Sequence, residues 1–262
     1  MPLRSLKIAL TPCPNDTFVF HAWISAIVGS SLPLEPVFAD IDQLNTWGLQ
    51  KKYPLTKVSL GSFARMQDDY DLLECGCALG IDVGPKVIAT HSNISYGDAT
   101  VLIPGENTTA HLLTKVLLPP FKRKIFCRYD EIFTRLEKAQ ADMGVIIHES
   151  RFTFSQAGFF EVADLGFLWR EKFDMPLPLG GIALRKDHAH MKQEITALLK
   201  ASLLYAWENP FASHSFVQKY AQERNFEVIK NHIDLYVNNQ TLCLSDKSKE
   251  AIALMLKLGA SR

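Results

Sequence analysis

Two stretches constrain the fold of this chain more than any other. Leu79-Gly-Ile-Asp-Val-Gly-Pro-Lys-Val-Ile-Ala89 and Met175-Pro-Leu-Pro-Leu-Gly-Gly-Ile-Ala-Leu-Arg185 share one character: prolines and glycines combined with a short run of small apolar residues. Proline removes a ladder donor and glycine weakens a strand interior. Such a segment suits a chain that leaves one sheet and enters another. Around both stretches, short β-branched runs alternate with apolar residues at helical spacing. The expected order is therefore strand–helix units, a crossing, a second set of strand–helix units, a return crossing and a helical tail. That order describes an α/β chain of two lobes with a cleft between them. The first lobe is expected over residues 1–92 and 182–262 and the second over residues 93–181.

The composition allows this and narrows the ligand. At 262 residues and 47% apolar content, the chain can bury a sizeable core. Lysine plus arginine number 28, and aspartate plus glutamate also number 28. The balance leaves no overall positive field for nucleic acid or anionic lipid, so a small neutral or acidic molecule is the expected partner. The opening residues, Met1 to Leu10, hold no apolar core of signal-peptide length. No apolar run approaches the roughly 18 residues of a membrane helix. Cys13, Cys75, Cys77, Cys127 and Cys243 are odd in number and irregularly spaced, which points to a reducing cytoplasm rather than a disulfide framework. Cys75-Gly-Cys77 has no second pair at zinc spacing, and Asp187-His-Ala-His190 offers too few ligands, so no metal is expected. No dinucleotide turn or P-loop is present in the sequence, and no cofactor is expected.

Individual elements follow from the same signals. Lys7–Leu10 reads as a strand that Thr11-Pro-Cys-Pro14 cannot continue, with Asn15 or Asp16 capping a helix from about Thr17. Pro36–Ile41 and Leu55–Leu60 read as strands. Asp42 is expected to cap a helix through Trp47 and Gln50, and Ser62 one from Phe63 to Leu73. The second set comprises strands at 100–103, 124–128 and 143–147, with helices at 110–118 and from Asp130, and ends with the segments 161–165 and 167–173. The tail after Asp187 is helical, with one helix opened by Pro210 and others at Phe226–Val237 and Ser245–Leu258.

In open α/β sheets the ligand cleft lies at the carboxyl ends of the strands. The Met143–Ile147 run ends there on His148, followed by Glu149, Ser150 and Arg151. An imidazole so placed can take a proton near neutral pH; the alternative is that it only caps the next turn. Lys57 and Ser59 are two apart and face the same side of their strand. Lys57 either snorkels to the sheet end or offers charge to an anionic ligand. Thr108 and Thr109 begin a helix, where free amides and the dipole favour a carboxylate or phosphate, or where a threonine simply caps. Asn15 and Thr17, in the first turn, are expected to line the cleft from the other lobe.

Several segments carry a family likeness. Thr11-Pro-Cys-Pro-Asn-Asp-Thr-Phe18, Pro54-Leu-Thr-Lys-Val-Ser59, Gly80 to Pro85, Pro104-Gly-Glu-Asn-Thr-Thr-Ala110, Gly144-Val-Ile-Ile-His-Glu-Ser-Arg-Phe-Thr153 and Leu177-Pro-Leu-Gly180 resemble the 1,4-dihydroxy-6-naphthoate synthase family of the futalosine route to menaquinone. The resemblance implies an α/β, two-lobed fold like type 2 periplasmic binding proteins, working as a cytoplasmic enzyme. It implies conversion of cyclic dehypoxanthine futalosine to 1,4-dihydroxy-6-naphthoate with release of a small carbon fragment. It also implies His148 as the base, with substrate contacts at Lys57, Val58 and Ser59 and at Thr108, Thr109 and Ala110. Glu149 and Arg151 are left outside the catalytic set, as neighbours on a turn that can equally face solvent. The competing expectations are a sister chorismate dehydratase of the same pathway and a non-catalytic binder of a small acid.

Overall fold

The computed structural model describes residues 5–261; Met1 to Arg4, on which part of the leader-peptide reading falls, lie outside the described residues. The chain opens with β1 (Leu6–Leu10), α1 (Pro14–Ile24), β2 (Leu34–Phe38), α2 (Ile41–Leu49), β3 (Leu55–Ser59) and the single turn α3 (Leu60–Phe63). Two short strands follow, β4 (Tyr70–Leu72) and β5 (Ala78–Gly80). The second set is β6 (Lys86–Ala89), β7 (Thr100–Pro104), α4 (Thr109–Leu117), β8 (Arg123–Cys127), α5 (Ile132–Glu137), β9 (Met143–Ile146), β10 (Phe160–Asp164) and α6 (Leu165–Phe173). β11 (Leu177–Arg185) returns, and the tail is α7 (Lys192–Glu208), α8 (Pro210–Tyr220), α9 (Phe226–Tyr236), α10 (Asn239–Leu242) and α11 (Asp246–Ala260).

Among the described residues these strands form two sheets. The first runs β2-β1-β3-β11-β4, with β5 also on β11, and the second runs β10-β6-β9-β7-β8. β1 is parallel to β2 and β3, while β11 comes back antiparallel to β3. The two crossings lie side by side, since Leu177 of β11 pairs with Gly80 of β5. The strands change sheet between Gly80 and Lys86 and again between Asp164 and Leu177, both ahead of residues 92 and 181. No helix among the described residues is long and apolar enough to cross a membrane.

Both faces of the first sheet are covered, so β3 is buried along its whole length. On one face Ile8, Leu10 and Leu55 pack with Phe18 and Trp23 of α1 and with Leu199 and Leu203 of α7. On the other, Val58 and Leu60 join a core that continues into the second lobe through Val101, Ile103, Leu112 and Leu113. Each such buried aliphatic side chain is worth about 1.5–3 kcal/mol, and the shared core ties the lobes together behind the cleft.

Three local expectations are corrected. Helix α1 starts at Pro14 with Cys13 as N-cap and no capping side chain, so Asn15 and Asp16 sit inside its first turn. Proline at the first helical position needs no N–H partner and has its φ already set. Asp40, not Asp42, caps α2, accepting from the amides of Asp42 and Gln43 at 3.0 and 3.2 Å. Residues 63–73 are not a helix: α3 ends at Phe63, and Tyr70–Leu72 instead pairs antiparallel with β11. The edge that β11 presents beyond β3 supplies ladder partners that local propensity does not reveal.

Candidate active site

β1, β3, α1, α4 and β9 all end or begin at the cleft. Together with the tail helix α9 they enclose a cavity with about 670 Å³ of empty space, its open mouth included. From the first lobe, Asp16 lines it. Its carboxylate takes Lys57 Nζ at 2.6 Å and Asn15 Nδ2 at 2.9 Å on one oxygen, and Thr11 Oγ1 donates to the other at 2.6 Å. The Lys57 and Asp16 side chains are only 7% and 4% exposed. Lys57 therefore does not snorkel: it is a buried cation held by a buried anion. It reaches the cavity past Gly180, where an added Cβ would stand 3.0 Å from Lys57 Cε and 3.1 Å from the Val58 carbonyl oxygen. Ser59 lines the same wall, and its Oγ accepts from Asn45 Nδ2 at 2.9 Å.

From the second lobe come Thr108, Thr109 and Ala110. Thr108 caps α4, its Oγ1 accepting from the His111 amide at 3.2 Å. Thr109 bridges the lobes: its Oγ1 donates to the Leu179 carbonyl at 2.8 Å and accepts from the Gly61 amide at 3.1 Å. A Cβ on Gly61 would stand 3.1 Å from Thr109 Cα, so glycine permits the close approach.

His148 is separated from β9 by Ile147 alone and lines the cavity. Its φ of 57° is left-handed, a conformation that a non-glycine residue holds only when its surroundings impose it. The ring meets Tyr129 edge-on at 4.7 Å, and Nδ1 lies 3.4 Å from Cys13 Sγ. Burial pulls its pKa down to about 4, so the imidazole is an uncharged base at neutral pH. Burial also pushes the Cys13 thiol well above its ordinary range, with Glu149 adding to the effect, and lifts Glu149 to about 7. Cys13, His148 and Glu149 present ligand atoms within 4.8 Å of one another, a set able to hold a metal ion. Cys75 and Cys77, by contrast, are buried thiols pushed up to about 12.

The cavity thus gathers Asn15, Lys57, Ser59, Thr108, Thr109, Ala110 and His148. It does not gather Val58 or Thr17. Val58 points to the opposite face of β3, wholly within the apolar core, because successive strand residues alternate sides. Thr17 is buried on α1, its Oγ1 donating to the Cys13 carbonyl at 2.9 Å. Arg151 does not face solvent either: it donates to the Gly84 carbonyl at 2.9 Å and pairs with Asp164 at 3.3 Å, fastening the turn after His148. Sequence reasoning missed Thr11, Asp16 and His232 as lining residues. Asp16 sat inside a motif already singled out, but its partner is 41 positions away. His232, on α9, carries no local signal.

The description "Menaquinone biosynthesis" belongs to a family model that matches residues 6–261. A 1,4-dihydroxy-6-naphtoate synthase of Thermus thermophilus is 36% identical over 99% of this chain and 96% of its own length. One of Streptomyces coelicolor with the same name is 35% identical, covering 100% and 95%. A solved Archaeoglobus fulgidus protein superposes with a TM-score of 0.93 at 29% identity, over 98% of this chain and 97% of that one. A Candida albicans protein described as having the generic periplasmic binding protein fold superposes with a TM-score of 0.70 at 13% identity, over 99% and 91%, and shares the fold alone.

Proposed function

Because the chain belongs to the menaquinone-biosynthesis family, we propose that it is a cytoplasmic carbon–carbon lyase that converts cyclic dehypoxanthine futalosine to 1,4-dihydroxy-6-naphthoate, releasing a small dihydroxyacetone-like fragment. The near-full-length relatives named for synthesis of that product support this reading. The observation that carries the chemistry is an imidazole kept uncharged by burial on the wall of a cavity shared by both lobes.

In this reading His148 removes a proton from a substrate hydroxyl. The oxygen forms a carbonyl as the neighbouring carbon–carbon bond breaks, and the released electron pair passes into the ring that becomes aromatic. General base help of this kind is typically worth ~10²–10⁴-fold. Lys57 is already neutralised by Asp16, so the start of α4, with the positive end of its dipole, is the better seat for the substrate carboxylate. The Thr109 bridge holds that helix start against the first lobe and keeps the seat at a fixed distance from the Lys57 wall.

Incubation of the purified protein with the cyclic futalosine derivative and mass detection of the naphthoate tests the proposal. The two rivals give different results: turnover of chorismate would indicate the sister dehydratase, and tight binding of substrate without product would indicate a binding protein.

A further inference from the structure

The steps above leave a buried histidine of the cavity unused. His232 stands on α9 in the tail, lines the cavity and is 1% exposed. Its ring lies 6.4 Å from the His148 ring, centroid to centroid. Its two nitrogens are in different situations. Nε2 is 3.0 Å from Asn15 Oδ1, and Nδ1 is buried with no hydrogen-bond partner in the protein.

The tautomer follows from the chain of contacts behind it. Asp16, engaged by Lys57, Thr11 and Asn15, only accepts. The NH₂ end of Asn15 must therefore face Asp16, and its carbonyl oxygen must face His232. That oxygen accepts, so Nε2 carries the imidazole proton and Nδ1 keeps a bare lone pair. Buried acceptors are normally satisfied. This one belongs to a residue that lines the cavity, so the donor it lacks within the protein can come with the ligand.

We infer that His232 Nδ1 accepts a hydrogen bond from a substrate hydroxyl, so that the hydroxylated part of the substrate is held between His232 and His148. The inference deepens the proposed function and rests on it. Lys57, Asp16 and Asn15 then have a second role: they set the proton on Nε2 of His232 and leave Nδ1 as acceptor. His232 is a substrate-positioning group, and the hydroxyl it holds orients its neighbour toward His148.

Two variants separate the nitrogens. His232→Gln keeps a donor toward Asn15 but offers nothing at the Nδ1 position; His232→Asn keeps a polar atom close to it. With the cyclic futalosine derivative, His232→Gln should raise KM about tenfold, the equivalent of one lost hydrogen bond, with a smaller change in kcat. His232→Asn should recover part of the loss. Wild-type protein should also bind one monodeoxy analogue of the substrate about tenfold more weakly than the parent, and His232→Gln should not distinguish the two. Unchanged KM in His232→Gln, or equal wild-type affinity for every monodeoxy analogue, would overturn the assignment while leaving the function intact. Absence of naphthoate from wild-type protein would instead remove the function, and the hydroxyl assignment with it. The analogue series needs no variant, so a misfolded substitution does not decide the matter.

Discussion

Lys57 Nζ and Asp16 Oδ1 lie 2.6 Å apart with both side chains almost wholly enclosed, and both residues line the cavity. Removing one partner strands the other charge out of water. Asp16→Ala should therefore destabilise the protein by about 3–5 kcal/mol, read as a lower urea midpoint at unchanged slope. Asp16→Asn, which can still accept a hydrogen bond from Lys57, should cost less. Equal midpoints for wild type and Asp16→Ala would show that the pair contributes nothing to the fold.

His148→Ala should lose naphthoate formation by ~10²–10⁴-fold or more while its circular dichroism stays that of the wild type. Retained turnover would remove the imidazole from the mechanism.

The pH dependence of the same residue has a definite sign. Its folded pKa of about 4 lies below the ordinary value of 6.5. The uncharged base thus persists in the free enzyme well below neutrality, and kcat/KM should stay level from pH 7 to about 5 and fall towards about 4. Stability follows the same direction. The His148 contribution is complete above about pH 6.5, where neither state is protonated, and is lost as pH falls from there towards about 4, because the unfolded chain takes up the proton first. An acid limb in kcat/KM centred at 6.5 would contradict this.

Glu149 carries the opposite sign. Burial raises its folded pKa to about 7 from 4.5. Its contribution is intact below about pH 4.5 and is lost as pH rises through about 7, since the unfolded carboxyl ionises more readily. Glu149→Gln should raise the melting temperature at pH 8, by an amount equivalent to at most about 3 kcal/mol, and leave it unchanged at pH 4. Equal effects at both pH values would refute the assignment.

Zinc offers an independent check on His148. Cys13, His148 and Glu149 can converge on one ion, which would occupy the imidazole lone pair and displace the thiol proton. Added zinc should inhibit turnover, a chelator should reverse the effect, and Cys13→Ser should be less sensitive. Undiminished activity at saturating zinc would show that the three ligands do not close on an ion.

By itself the sequence determined whatever depends on neighbours along the chain. The proline- and glycine-bearing crossings, the strand that stops at His148 and the threonine cap at 108 are local features, and local dihedral limits and hydrophobic spacing are enough to read them. Even so, Thr17, expected at the cleft from its place in the first turn, turns its hydroxyl back on its own helix, and the side chain of Val58, named by the family likeness, is sent into the core by strand alternation. Only the tertiary structure decided which distant groups meet. The strand at Tyr70–Leu72 exists because β11 offers it an edge. Asp16 finds Lys57 across 41 positions, and a tail helix delivers His232 to a wall built by the first turn. Those meetings satisfy buried charge and buried hydrogen-bonding groups, a demand that arises only once the core has closed and water has been excluded.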